Sequence, residues 1–465
     1  MGVLGVINSM LLTRILEPAE MGLYGMLISF ASTAIMFISF GYDASYTRFY
    51  YNHGYSHKKF MFLSLRVPLV IFCLFALVML EPTFSLTKLF FGKNITWLTV
   101  LIILLYVFSD VLHKFTQLTA RMEEHAINYI VSNIIAKSGF LIIVFAVFMI
   151  MDRVSFNWIT LSFAISCFAA VLMNVYVFFK VANKKVESDR PVSPKEMLIY
   201  GFPNMINNVL VLIIPLIEKL IIKNLAGEDT LGIFTSAAIF QTVVLLLTNT
   251  LINIWNPLVF KHCDNEKAFK PILHDFGYAA TMVSVAGLAL CILLRRFLVL
   301  IMGADYHQVY VIAPAIMFGA LFHILNIIYS VGINIKKKTY HLIISPIIQA
   351  AISFALCFLL IPKLGLAGIA IASLASLVIS KTYRIFVGIH YYGTGKTEIK
   401  PIILCVLATA ASVISIFLSS EGGFIYDVIL SLALIGVSAV IVNRDIFSLM
   451  KSMLSIIRPS KEEKE

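Results

Sequence analysis

The sequence predicts an all-α polytopic membrane protein, and three observations carry that prediction. Of its 465 residues, 60% are hydrophobic and 13% charged, against about 25% charged in soluble domains. Apolar runs repeatedly exceed the roughly 18 residues that read as a transmembrane helix. Nothing alternates over the ten-residue segments of a membrane β-barrel, and a lone helix satisfies its own backbone hydrogen bonds in lipid.

The elements follow in order. The first apolar segment, MGVLGVINSMLLTRIL, has 16 residues, about 24 Å of helix against a core of about 30 Å. It lacks a basic leader and a small-residue cleavage site, so it does not read as a signal peptide; either the first span is short or the start of the sequence omits some residues. Glu17 and Pro18 break it, and Gly22 opens span two. Further spans are expected at 60–80, 95–112, 128–150, 156–179, 198–222, 231–256, 276–301, 309–334, 341–361, 364–390, 400–419 and 424–442, about fourteen in all.

Loop charge tests that count through the positive-inside rule. Connections after even-numbered spans, together with the C-terminal tail, hold 25 Lys and Arg, and those after odd-numbered spans hold 8. The first group includes Lys381, Arg384, Lys396 and Lys400 after span twelve; the second includes the two arginines at the end of span nine. Three more, Arg66, Lys137 and Lys219, lie within spans. The bias predicts a cytoplasmic-membrane protein with both termini in the cytoplasm. Basic residues are scattered through short connections, which excludes a nucleic-acid-binding domain.

The most polar linker, KVANKKVESDRPVSPKE, separates spans six and seven. The connection from Arg14 to Tyr24 resembles that from Lys223 to Phe234: a basic residue, a Leu, an acidic turn, then Gly and an aromatic. Six spans per repeat make the repeats parallel. The expected organisation is an N-terminal lobe at 1–179, a cytoplasmic linker at 180–197, a C-terminal lobe at 198–393, and two extra helices with a tail at 394–465.

No loop is long enough for a catalytic domain, and there is no P-loop, GxSxG or HExxH. No catalytic residue, cofactor or metal site is expected. Six cysteines without CxxC spacing read as buried thiols. Chemistry therefore reduces to charge in or beside the spans, where each charge at a helix centre costs about 2.5 to 3.5 kcal/mol. Arg14 and Arg48 border spans one and two. Arg66 sits near a helix end, where it can snorkel, whereas Lys137 lies deep in span five. Glu218 and Lys219 are neighbours in span seven, about 100° apart around the helix. Asp110 and Lys114, four apart, are expected to pair with each other, and His323 reads as a packed polar residue. Pro68, Pro203 and Pro215 permit kinks.

Five stretches together resemble one family: Leu16 through Tyr24, Gly41 through Arg48, Gly201-Phe202-Pro203, Leu231 through Phe234, and Pro362 through Ala372. They are similar to the Wzx-type polysaccharide (O-antigen) flippases of the multidrug/oligosaccharidyl-lipid/polysaccharide (MOP) exporter superfamily, over spans one to twelve. The resemblance implies two six-helix lobes in a V around a central cavity. It also implies a substrate, an oligosaccharide on polyprenyl pyrophosphate, moved to the outer leaflet for surface polysaccharide assembly. On that basis Arg14, Arg48, Arg66, Lys137 and Lys219 are the candidate substrate-binding residues and Glu218 a candidate proton or sodium coupling site. Glu218-Lys219 stands where the family often has Asp-Arg, which replaces a bidentate fork by a point charge. Other expected partners are the bilayer and polysaccharide assembly proteins. The competing readings are a MATE-type multidrug antiporter and a membrane glycan polymerase, ligase or acyltransferase.

Overall fold

Long apolar helices account for nearly all of the chain. The computed structural model describes residues 2–442 except 82–85, 93–94, 152, 187–190, 263–265, 337, 339, 393–398 and 422–423. The middle of the linker and the C-terminal tail thus lie outside the described residues. Among the described residues there is no strand; the one extended contact is an isolated bridge between Ser56 and Lys185. In chain order the helices are α1 (Gly2–Ile15), α2 (Pro18–Ser39), α3 (Tyr42–Phe49), α4 (His57–Leu80), α5 (Leu86–Phe91), α6 (Trp97–Met122), α7 (Ala126–Met151), α8 (Phe156–Val181), α9 (Pro194–His262), α10 (Glu266–Ile301), α11 (Val309–Tyr329), α12 (Val331–Ile335), α13 (His341–Tyr391), α14 (Ile399–Glu421) and α15 (Phe424–Val442).

Among the described residues, eleven helical segments are long and apolar enough to cross a membrane. Two of them, within α9 and α13, run for 52 and 51 residues, more than twice the roughly 20 residues a bilayer requires. Each is broken by a glycine outside helical geometry, Gly227 (φ 88°, ψ 173°) and Gly365 (φ 52°, ψ −124°). A side chain at such φ is strained, so these two turn points need glycine. The break in α9 falls five residues before Gly232, where the sequence placed the start of the next span.

Local chemistry explains the helix starts. Pro18 occupies the first turn of α2 behind Glu17, a position where the missing N–H costs nothing. At the start of α9, Ser193 and Glu196 form a capping box: the Glu196 N–H donates to Ser193 Oγ at 3.2 Å and the Ser193 N–H to Glu196 Oε2 at 3.0 Å. The linker is stitched to α4 by His57 N–H to Lys184 O at 3.1 Å and Val186 N–H to Tyr55 O at 3.0 Å.

The chain divides into two units, residues 3–232 and 233–465. In the first, α8 packs against both α6 and α7. Its core is an aromatic cluster in which Phe163 stacks on Phe140 (3.9 Å between ring centres) and Tyr24 (5.9 Å) and meets Tyr106 at a tilt (5.3 Å). In the second, α11 is the central helix and packs against α10, α13 and α14. The outer helix α15, expected to be an appendage, lies along α10.

Candidate functional site

The first unit contains a seam in which α2 and the opening half of α9 run antiparallel. At one end a side chain on Gly41 or Gly201 would overlap the other's backbone, and at the other Gly232 lies against the Pro18 backbone and Gly22 against that of Glu228. Between these ends Thr33 Oγ1 donates to Leu212 O at 3.3 Å, and the Lys219 ammonium donates to Gly25 O and Ser29 Oγ, both at 2.8 Å. Small residues permit this closeness, as at other helix contacts in lipid. The stretches that sequence comparison matched between the two repeats, around Gly22 and around Gly232, are thus in contact. Lys219 pins the seam.

A second charged group of the first unit ties α6 to α2 and α3. Lys114 Nζ lies 2.7 Å from Asp43 Oδ2, with Met36 Sδ at 3.2 Å and Ser39 Oγ at 3.4 Å. The expected Asp110–Lys114 pair is therefore corrected: the lysine reaches the short helix α3, whose first turn presents Asp43 toward it. Asp110 stays within electrostatic reach of both Lys114 and Lys137. Asn8 Nδ2 anchors α1 beside that group, donating to Lys137 O at 2.7 Å and Ser138 Oγ at 3.1 Å.

Four of the five candidate cations are exposed: Arg14 in the last turn of α1, Arg48 in the last turn of α3, Arg66 within α4 and Lys137 within α7. The Arg48 guanidinium lies 5.9 Å from the Phe49 ring centre. Lys219 and its neighbour Glu218 are half-buried. The helices that carry the cations belong to one unit, but only Lys219 is committed to specific partners among the hydrogen bonds described.

A polar knot closes the linker side of this unit. His53 is fully buried; its ring stacks on Phe60 at 4.1 Å, its Nδ1 accepts from the Tyr55 N–H at 3.0 Å, and its Nε2 lies 3.4 Å from His57 Nδ1. His57 faces Glu123 Oε1 at 3.6 Å, a carboxylate that also accepts from Tyr50 OH at 2.9 Å and pairs with Lys184 at 3.8 Å. Burial, and then the neighbouring His57, push the His53 pKa down to about 4.

In the second unit the structure reveals two charged groups that sequence reasoning did not single out. Arg295, counted with an outer connection, is fully buried inside α10. Its guanidinium forks onto the carboxylate of Asp427 in α15, with Nε to Oδ2 at 3.1 Å, and its Nη1 donates to Ser415 O at 2.6 Å. Arg296 adds a contact to the same Oδ2 at 3.3 Å. Lys381 and Arg384, counted as loop charge, are half-buried within α13, one turn apart, and both act electrostatically on His323 of α11. The signal was present: Asp427 and the two cations on α13 each fall inside an apolar run, where an ionisable residue calls for a named partner or a function. Among the described residues no group of three His, Cys, Asp or Glu side chains could hold a metal ion.

Comparison with known proteins agrees with this architecture. A model of the family described as "Polysaccharide biosynthesis protein" matches residues 2–262. A curated relative, the "Capsular polysaccharide biosynthesis protein CapF" of Staphylococcus aureus, is 26% identical over 221 residues, 46% of this chain; the match spans 56% of that relative's length. Among solved structures, the fold is similar to "Lipid II flippase MurJ, inward closed conformation" at a TM-score of 0.67 and 16% identity, covering 96% of this chain and 97% of that one. It is also similar to an inward-facing multidrug resistance MATE family transporter of the MOP superfamily, at a TM-score of 0.65 and 13% identity, covering 85% and 96%. Helical architecture, the glycine seam and the matched span agree: the chain belongs to the polysaccharide biosynthesis protein family.

Proposed function

We propose that this protein is a non-enzymatic flippase of the cytoplasmic membrane that moves a polyprenyl-pyrophosphate-linked oligosaccharide to the outer leaflet for surface polysaccharide assembly. The observation that carries the reading is the set of exposed cations, Arg14, Arg48, Arg66 and Lys137, on helices within the family-matched region. A pyrophosphate is the kind of group that such cations offset, and Arg adds a planar fork for its oxygens. The similarity in fold to a lipid II flippase supports a lipid-linked substrate. The loop-charge bias supports cytoplasmic locations for both termini.

In this reading the protein works by alternating access. Arg48, Arg66, Lys137 and Lys219 offset the pyrophosphate charge from the cytoplasmic side, the lipid tail stays in the bilayer, and the α2–α9 seam loosens at one end as it tightens at the other. Glu218, beside the lysine that pins the seam, is the residue we assign to proton or sodium coupling. Dedicated polysaccharide assembly proteins would supply and consume the glycan.

A MATE-like drug antiporter would need uncommitted carboxylates for cationic drugs. Asp43 is paired with Lys114 and Asp427 with two arginines, which weighs against that reading. The test is to replace Lys137 or Lys219 by Ala and follow lipid-linked glycan on each leaflet of membrane vesicles. Translocation is expected to fall in both variants; normal translocation in both removes these lysines from the mechanism.

A further inference from the structure

We propose that His323, Lys381 and Arg384 form an oxyanion-binding site inside the second unit. Lys381 and Arg384 are three apart on α13, beyond its break at Gly365, and so share a face. His323 and Asn326 are likewise three apart on α11. The two faces are locked together by Asn326 Nδ2, which donates to Lys381 O at 3.3 Å. At the residue just before Lys381, Ser380 Oγ donates to Ser345 O at 2.7 Å and ties the two halves of α13 together.

Two cations half-buried among apolar helices call for an opposite charge. Among the described residues no carboxylate pairs with either, since Asp427 is taken by Arg295 and Arg296 and Asp275 lies beside His274. Arg384 Nε and His323 Nδ1 are buried with no hydrogen-bond partner among the described residues, as is the acceptor Asn326 Oδ1. The cluster therefore offers an ammonium, an unused guanidinium N–H, an imidazole and one carbonyl acceptor. That set matches a phosphate or carboxylate oxygen with a hydroxyl beside it: the cations take the anionic oxygens and Asn326 accepts the hydroxyl. Such a pairing occurs on the carrier pyrophosphate, whose anionic oxygens lie beside the hydroxyls of the sugar it esterifies, and on an acidic sugar of the glycan. The site deepens the proposed function by naming a second place where an anionic substrate is held, and rests on that function only for the identity of its natural ligand.

The test uses the full-length protein in lipid nanodiscs with two probes, inorganic pyrophosphate and glucuronate, titrated calorimetrically against the original protein and against Lys381→Met, Arg384→Met and Arg384→Lys. The original protein is expected to bind at least one probe, and each Met variant to weaken it by about tenfold or more, the scale of a lost charge-assisted hydrogen bond. Arg384→Lys keeps the charge and loses the fork, so it folds and weakens binding less than Arg384→Met. Preference for pyrophosphate marks the carrier as the source, and preference for glucuronate marks an acidic sugar. Without probe, Lys381→Met is expected to melt higher, because it removes a cation that no carboxylate offsets; a purely structural lysine would give the opposite shift. Binding of neither probe by the original protein, or unchanged affinity in all three variants, overturns the site. If the variants lose probe binding while lipid-linked glycan stays on its leaflet in the original protein, the flippase reading fails and this site stands.

Discussion

The two units differ in how they treat charge inside apolar helices. In the first, Lys114 has Asp43, Lys219 has two neutral oxygens of α2, and Lys223 has Glu228 at 3.4 Å and Phe90 O at 2.9 Å. In the second, charge is either locked completely, as in the Arg295–Asp427 fork, or, as on α13, has no carboxylate partner among the described residues. Distributed pairing tolerates the loss of one member because a neighbour remains. A single buried fork leaves Arg295 only the neutral Ser415 carbonyl in reserve, and cations with no carboxylate partner among the described residues are poised for a ligand.

The largest effect is therefore expected at that fork. Asp427→Ala leaves Arg295 buried and unpaired, a situation that costs about 3 to 5 kcal/mol, and equilibrium unfolding in detergent should show a loss of that size. The double variant Arg295→Met with Asp427→Leu removes both charges and is expected to recover most of it. A double variant as unstable as Asp427→Ala would mean that α15 is held to α10 by something other than this pair.

Next comes the glycine seam. Gly232→Val sets a branched side chain against the Pro18 backbone, and overpacking of this kind costs about 1 to 3 kcal/mol or more. Glycan translocation should fall sharply. Gly436→Ala on α15, where an added Cβ meets nothing within 4 Å, is the matched control and should be neutral or slightly stabilising. Lys219→Met follows, losing two charge-assisted hydrogen bonds for about 1 to 3 kcal/mol, read by the same unfolding measurement.

Much of this arrangement was legible in the sequence, in proportion to how local its cause is. Helix content follows from apolar run length. The likeness between the stretches at Gly22 and Gly232 marks two places that meet. Partners brought by tertiary packing were not legible. Asp110 was the obvious mate for Lys114 at helical spacing, but α3 folds back and delivers Asp43 instead. Arg295 looked like loop charge because its mate lies 132 residues away, and Lys381 and Arg384 looked like a cytoplasmic flank because a composition rule does not see depth within a 51-residue helix.

The linker side of the first unit supplies a pH test. His53 has its pKa lowered from 6.5 to about 4 in the folded state, so the unfolded chain binds the proton more readily. Stability from this group is complete above about pH 6.5 and is lost as pH falls toward 4. The melting temperature should drop between pH 7 and pH 5, against a background set by His57, Glu123 and Lys184, which face the same pocket. His53→Phe keeps an aromatic ring against Phe60 and should flatten that dependence; an unchanged pH profile would take His53 out of the account.

The smallest effect is expected where pairing is most distributed. Asp43→Asn removes the closest partner of Lys114, a pair whose side chains are 17% and 19% exposed. Partly exposed pairs contribute up to about 1 kcal/mol, and Lys114 keeps Ser39 Oγ, Met36 Sδ and the field of Asp110. The unfolding free energy of Asp43→Asn should therefore fall by no more than about 1 kcal/mol, well short of the loss at Asp427. Adding Asp110→Asn in the same chain strips the second carboxylate and should cost more than the two single changes combined, because only then does Lys114 face neutral atoms alone. Strict additivity would show that Asp110 does not share the load, and the contrast between a distributed first unit and a single-fork second unit would narrow to geometry.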